Sequence, residues 1–371
     1  MKTIWLFLLI ISSNICYSQN VRDANIYEGI LANLYVNHQP SEKGEAMGRG
    51  LVANSDGDYG SYYNPALTSL SKGLNFDYSY SQSDGVKPSL NYYGVSYSNK
   101  KIGSFGLSAY YFSKPLEEDY GFATQRKHSY YDAIFTVNYS REVIQDFYAG
   151  VNLGVFHYYN YYHWAVAIMP GGNFFIDDGV TLDFGLLKKI TVKTSDNEQI
   201  FQLAASITNF TNSKVISDED NFINKEALPV TFRIGASHQL KIPYGIHLGV
   251  PYPLKIFTHI EYEKMVNSEF HGTFRIGEEL SVWEILYMRV GYFYSSVHDG
   301  YRESESELTY GAGLSIPLSR LLKMKNEFDI KIDYVRTDID KYARYYYSGS
   351  AYYIDDYGIF YTLGLSLNYI P

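Results

Sequence analysis

The chain has 371 residues, with 31 basic and 40 acidic side chains and a formal charge of −9. That balance leaves no basic footprint for nucleic acid, and a single cysteine rules out an internal disulfide. Aromatic residues make up 17% of the chain, yet its mean hydropathy is only −0.22, the balance expected of strands with one face in lipid and one in a polar lumen.

The N-terminus carries Lys2, an apolar run from Ile4 to Ile11, and a polar exit through Ser12, Ser13 and Asn14. This is the layout of a secretory signal peptide over residues 1–18. The run is too short to span a bilayer as a helix. Cleavage after Ser18 places Cys16 and Ser18 at the −3 and −1 positions, and Ile15 before Cys16 argues against a lipoprotein. Cleavage also removes the only thiol and Lys2, so the mature charge becomes −10.

Residues 19–73 form a separate segment. Ile26, Tyr27, Ile30, Leu31 and Leu34 are spaced as on one helix face. A Gly- and Asp-rich stretch follows over Glu42–Tyr59, then a turn at Asn64-Pro65. A segment of this length before the first strand is expected to fold into the barrel mouth as a plug.

From residue 74 to the end, apolar and polar residues alternate with period two, the signature of half-buried strands. In Ile102–Phe112 the outward set is Phe105, Leu107, Ala109 and Tyr111. In Phe147–His157 it is Ala149, Val151, Leu153 and Val155. In Ile359–Tyr369 it is Tyr361, Leu363, Leu365 and Leu367. Strands are expected near 74–81, 89–98, 102–112, 131–140, 146–157, 179–188, 200–210, 229–239, 254–264, 269–278, 285–294, 307–316, 326–335 and 358–369. The reading is an all-β, transmembrane antiparallel β-barrel of about 14 strands over residues 74–371, with the N-terminal segment as its plug. An α-helical membrane protein is excluded, because no later apolar run approaches the length a helix needs to cross.

The connections sort by parity. With the N-terminus in the periplasm, the far-side loops are 82–88, 113–130, 158–178, 211–228, 265–268, 295–306 and 336–357. The near-side turns are 99–101, 141–145, 189–199, 240–253, 279–284 and 317–325. All four of the longest connections fall on the far side, as long external loops do. Tyr110-Tyr111-Phe112, Tyr158-Tyr159 and Tyr345-Tyr346-Tyr347 lie at strand ends, where aromatic girdles are expected.

Charged residues fall at inward positions on four strands: Glu261 and Glu263, His271 and Arg275, Arg289, and Asp329, Lys331 and Asp333. On antiparallel neighbours they can pair, because guanidinium matches carboxylate bidentately. Such a ladder braces the wall; a polar binding patch or permeation path is the alternative. No zinc-protease, nucleophile-elbow or phosphate-loop motif is present. His157 and His163 lack a third metal ligand nearby, and Asp56-Gly57-Asp58 lacks the rest of a calcium loop. The expectation is therefore no enzyme, no metal and no cofactor.

The stretch Glu45-Ala46-Met47-Gly48-Arg49-Gly50-Leu51-Val52-Ala53, followed by Tyr62-Tyr63-Asn64-Pro65-Ala66-Leu67, resembles the opening of FadL-like outer-membrane proteins. It looks most like their PorV/PorQ branch, associated with type IX secretion in Bacteroidota. Ile207-Thr208-Asn209-Phe210, Leu228-Pro229 through Arg233-Ile234-Gly235, Glu261-Tyr262-Glu263, Phe274-Arg275-Ile276-Gly277 and Met288-Arg289-Val290-Gly291-Tyr292 are similar to later family segments, in order. Arg49, Phe210 and the terminal Tyr369-Ile370-Pro371 depart from the pattern. The resemblance implies a fourteen-stranded barrel with the N-terminal segment inside. Met47, Gly48, Gly50, Asn64, Pro65 and Ala66 are its family-motif residues. It implies outer-membrane lipid and protein partners, either secretion machinery or secreted cargo, with transport of a hydrophobic small molecule as the alternative.

Overall fold

The computed structural model describes residues 39–54, 59–83, 89–121, 124–166, 169–194, 197–211, 214–217, 224–227, 230–243, 250–266, 272–296, 305–338, 344–347, 350–353 and 359–370. The signal peptide, the 26–36 helix reading, Asp56-Gly57-Asp58, Leu228-Pro229 and His271 lie outside the described residues.

Among the described residues, eighteen strands follow in chain order. They are β1 (Gly73–Ser83), β2 (Ser89–Asn99), β3 (Gly103–Gly121), β4 (Thr124–Ile144), β5 (Phe147–Val166), β6 (Met169–Lys193), β7 (Glu198–Thr208), β8 (Lys214–Ser217), β9 (Asn224–Ala227), β10 (Thr231–Ile242), β11 (Leu254–Met265), β12 (Gly272–Val282), β13 (Leu286–Ser296), β14 (Glu305–Pro317), β15 (Glu327–Asp338), β16 (Arg344–Tyr347), β17 (Ser350–Tyr353) and β18 (Ile359–Ile370). Fourteen of them close an antiparallel barrel in the order β1-β18-β15-β14-β13-β12-β11-β10-β7-β6-β5-β4-β3-β2. The first strand seals against the last, with Leu74 opposite Tyr369 and Ser83 opposite Phe360. Closure leaves no edge along the wall, so every strand there has a partner on each side.

The alternation sets the faces. Leu107, Phe135, Leu153, Leu203, Leu308 and Leu363 point outward and are each more than half exposed. Their in-line neighbours Asn138, Asn152, Gln202, Thr309 and Thr362 are buried inside. Soluble monomers rarely expose apolar patches beyond a few hundred Å², and this belt runs round the wall. It requires hydrocarbon, and β1, β2 and β7, at 11 residues each, meet the roughly 9–11 needed to cross tilted.

Two expectations change. The described residues of the loops read at 113–130 and 158–178 are strand: β3, β4, β5 and β6 run for 19, 21, 20 and 25 residues and stay paired beyond the barrel rim. Their Tyr-rich composition suits extended structure as well as loop. Likewise, hairpins β8–β9 and β16–β17 fold within the long far-side connections after β7 and β15. Tyr110 and Phe112 do not join an outer girdle; they are buried inside. With Phe105 and Leu107 outward, period two turns both inward.

Candidate functional site

The lumen is filled from the N-terminal side. Glu42–Ala46 forms a short helix, α1, whose N-cap Ser41 accepts a hydrogen bond from the Gly44 amide at 3.1 Å. Gly60–Tyr63 forms a second turn of helix, α2, and Pro65–Leu70 a 3₁₀ turn. The Gly- and Asp-rich stretch thus opens with a helix, a start that the Ser41 cap and first-turn Glu42 and Glu45 suit.

The segment stands on two glycine seats. Gly48 adopts φ +75°, open to glycine at little cost, and its amide donates to Thr309 Oγ1 at 2.8 Å. A Cβ on Gly291, directly opposite Thr309 in the ladder, would lie 2.0 Å from the Gly48 nitrogen, and one on Gly277 would meet Met47. On the other wall Asn64 caps the 3₁₀ turn by accepting from the Ala66 amide at 3.0 Å, and its Nδ2 donates to the Val52 and Leu186 carbonyls at 3.1 Å each. A Cβ on Gly185 would sit 1.9 Å from Asn64 Oδ1, and one on Gly150 would lie 2.4 Å from the Pro65 carbonyl. Gly50 is confined less tightly, by the Arg275 and Glu261 side chains, which a Cβ there would meet at 2.9 Å. Met47, Gly48, Gly50, Asn64, Pro65 and Ala66 thus all lie at the joint between segment and wall.

The inward charges form two clusters, and both reach the segment. In the first, Glu263 binds Arg233 at 2.5 Å and Arg275 at 2.8 Å, while Glu261 accepts from the Val52 amide at 2.8 Å. In the second, Arg289 bridges Glu279 and Asp333 at 2.6 Å each, Lys331 lies 3.6 Å from Asp333, and Lys43 of α1 lies 3.2 Å from Glu279. Arg49 pairs with Glu45 at 3.2 Å and stacks over the Phe293 ring. Full burial of such charges is tolerable only with partners in place. Burial, then the neighbouring Asp333, hold the Glu42 carboxyl well above its usual range; burial also raises Glu45, against the opposing pull of Arg49.

Asp329 is the exception, half-buried near the other end of β15 and without an ion pair among the described residues. Arg233 and Glu279 were missed, although Phe232, Ile234, Phe274 and Ile276 point outward and so place both inside. Lys43, Glu45 and Arg49 carried no such signal, because no alternation exists in a helix-and-turn segment.

One part of the lumen breaks the polar rule. Tyr92, Tyr110, Ile134 and Phe156 stand in one hydrogen-bonding row across β2, β3, β4 and β5, all inward. Leu90 and Phe112 form the next step toward the far side. Tyr62 of α2 meets Tyr110 edge-on at 5.6 Å, and Tyr59 meets Tyr92 at 5.0 Å. Beside this row lies a cavity of about 70 Å³, lined by Tyr62, Tyr92, Tyr110 and Ile134 on one flank and by Asp183, Asn209 and Arg233 on another.

A closed fourteen-stranded antiparallel wall, apolar outside and filled inside by its own N-terminal segment, defines an outer-membrane multi-pass β-barrel. Among solved structures the chain is similar to a Pseudomonas aeruginosa FadL homologue (TM-score 0.42, 10% identity, 89% of this chain and 97% of that one). It is also similar to the toluene transporters TodX of Pseudomonas putida and TbuX of Ralstonia pickettii (each TM-score 0.44, 11% identity, 89% of this chain and 97% of that one). No family model and no curated protein matches the chain. At these scores the barrel assignment rests on the ladder and the apolar belt themselves.

Proposed function

We propose that this barrel is a FadL-like conduit that takes a small hydrophobic molecule from outside and passes it over the N-terminal plug, without catalysis. The observation that carries the reading is the inward apolar row Tyr92, Tyr110, Ile134 and Phe156, with Leu90 and Phe112 beyond it. Barrel lumens are otherwise polar, and apolar side chains there need an apolar occupant or plug to cover them. The neighbouring cavity gives such a molecule a foothold beside Tyr62. In this proposal the motif residues Met47, Gly48, Gly50, Asn64, Pro65 and Ala66 fix the plug. Glu261, Glu263, Arg275, Arg289, Lys331 and Asp333 hold it electrostatically; Asp329 has no part. The test is equilibrium binding of radiolabelled toluene and of oleate to the purified full chain in detergent. Tyr110→Ser and Phe156→Ser should each weaken binding about 10- to 100-fold, the equivalent of one buried apolar side chain. Absence of saturable binding, or affinities unchanged in both variants while the barrel still shows heat-modifiable migration, would defeat the reading.

A second reading is a PorV/PorQ-type role in type IX secretion or surface attachment of cargo in Bacteroidota. The observation favouring it is the four-stranded sheet of β3–β6 that continues past the rim, a platform a protein partner could use. Mild detergent extraction followed by affinity recovery tests it. Secretion-machine or cargo proteins in the eluate support it, and their absence from cross-linked cells counts against it.

A further inference from the structure

We propose that an arc of the near-side rim binds anionic phospholipid of the periplasmic leaflet. The arc runs from the β4–β5 turn through the β2–β3 turn to the turn between β14 and β15, which contains a short helix, α3 (Leu318–Leu322). The closed order β14-β15-β18-β1-β2-β3-β4-β5 makes these three turns consecutive around the rim. Short-turn sides of such barrels face the periplasm, and here the two longest connections, after β7 and β15, both leave from the opposite side.

Two independent features coincide on the arc. The first is apolar exposure. Ile144, Leu321 and Leu322 are 67%, 66% and 67% exposed, more than any other large apolar side chain among the described residues. Val143 and Ile102 accompany them. Val143 and Ile144 end β4 at a bulge before its turn, Ile102 lies in the β2–β3 turn, and Leu321 and Leu322 lie on α3; all five stand exposed at the rim, and hydrocarbon is the solvent that removes the cost of their exposure.

The second is unpaired positive charge. Lys72, Lys100, Lys101, Arg141, Lys323 and Lys325 are exposed, and none has a carboxylate partner among the described residues. The nearest acidic residues in sequence are Glu142, Asp146 and Glu327, so the arc is net positive on a chain whose total is −9. Cations and apolar tips interleave, as in Lys101-Ile102, Arg141-Glu142-Val143-Ile144 and Leu321-Leu322-Lys323-Met324-Lys325.

This pairing selects the partner. An acidic protein satisfies the charges but leaves the apolar tips in water. A zwitterionic lipid takes the tips, but its own ammonium competes for the phosphate. An anionic phospholipid offers acyl chain and uncompensated phosphate in one molecule, within reach of long side chains that keep their stems in hydrocarbon. Each such cation is worth about a five-fold preference for an anionic surface.

The test uses the purified full chain in neutral detergent, titrated separately with dioleoyl-phosphatidylglycerol and dioleoyl-phosphatidylethanolamine, with bound lipids counted by native mass spectrometry. The parent should retain phosphatidylglycerol at concentrations at least 10-fold lower. The quadruple variant Lys100→Gln, Lys101→Gln, Lys323→Gln, Lys325→Gln should lose that preference while keeping its heat-modifiable migration. Leu321→Ser with Leu322→Ser should lower retention of both lipids. Lys214→Gln with Lys225→Gln, on the far-side hairpin, serves as the charge control. Equal retention of the two lipids by the parent, an undiminished preference in the quadruple variant, or an equal loss in the charge control would each overturn the proposal.

Discussion

Gly291→Ala is the sharpest probe of how the plug is held. The new Cβ would lie 2.0 Å from the Gly48 nitrogen and 2.2 Å from the Met47 carbonyl carbon. Ordinary contact begins near 3.5 Å, so the plug must retreat by about 1.5 Å. Thr309 stands directly opposite Gly291, so the same retreat stretches the 2.8 Å bond from Gly48 to Thr309 past hydrogen-bonding range. Overpacking costs about 1–3 kcal/mol, and the lost bond about 0.5–1.5 kcal/mol. The strand preference of alanine over glycine cancels, because β13 is strand whether or not the plug is docked. The net loss is about 1.5–4.5 kcal/mol of docking free energy, which raises the undocked fraction by roughly 10- to 2,000-fold. Trypsin reads this directly, because Lys43 and Arg49 are buried when the plug is seated. Cleavage tracks the open population when opening is fast. Cleavage after Arg49 should accelerate accordingly in Gly291→Ala, with the barrel still folded. Gly106→Ala is the control, since its Cβ meets nothing closer than Asn138 Cβ at 3.3 Å. If both variants are cut at the parent's rate, the glycine-seat argument fails.

Asn64→Ala removes one acceptor and two donor contacts and should cost the docked plug about 2–4 kcal/mol; Asn64→Asp keeps the Ala66 cap but sets a buried carboxylate oxygen against the Val52 and Leu186 carbonyls, so it should be cut at least as fast as Asn64→Ala in the same trypsin assay. Arg289→Met strands Glu279 and Asp333 in the lumen and should cost about 3–5 kcal/mol. Adding Glu279→Gln and Asp333→Asn should restore most of the lost heat resistance, and no recovery would mean the two carboxylates are not what Arg289 holds. Glu42 binds its proton more readily when docked than when free, so it favours docking increasingly as pH falls through its raised value, levelling off below the ordinary glutamate range. Trypsin protection should therefore strengthen from neutral to mildly acid pH, and Glu42→Gln should be better protected at neutral pH with a shallower slope. An identical slope in parent and variant would remove Glu42 as a source.

The wall was legible because its physics is local and periodic. One face in lipid and one in the lumen forces period two, and that period alone located all fourteen barrel strands within a few residues except at the far ends of β3 to β6. Those ends escaped because a strand standing clear of the membrane no longer needs alternating polarity. The same rule, applied more strictly, would have turned Tyr110 and Phe112 inward and placed Arg233 and Glu279 in the lumen. The plug was less legible. Asn64-Pro65-Ala66 marks a turn by its chemistry. Nothing near Lys43 or Arg49, however, announces partners on strands more than 200 residues away.

The plug touches both sides of the lumen, with Asn64 against β6 and Gly48 against β13 and β14. Its full set of contacts therefore exists only once the β1–β18 seam has closed. Gly48 meets Thr309 across 261 residues of sequence, and Glu45 meets Thr337 across 292. Contacts of such separation form late and slowly. During biogenesis the lumen is thus plugged at the last step, by a segment that emerged first. Until that moment, a ring of charges meant for one another faces water, and the growing barrel stands open.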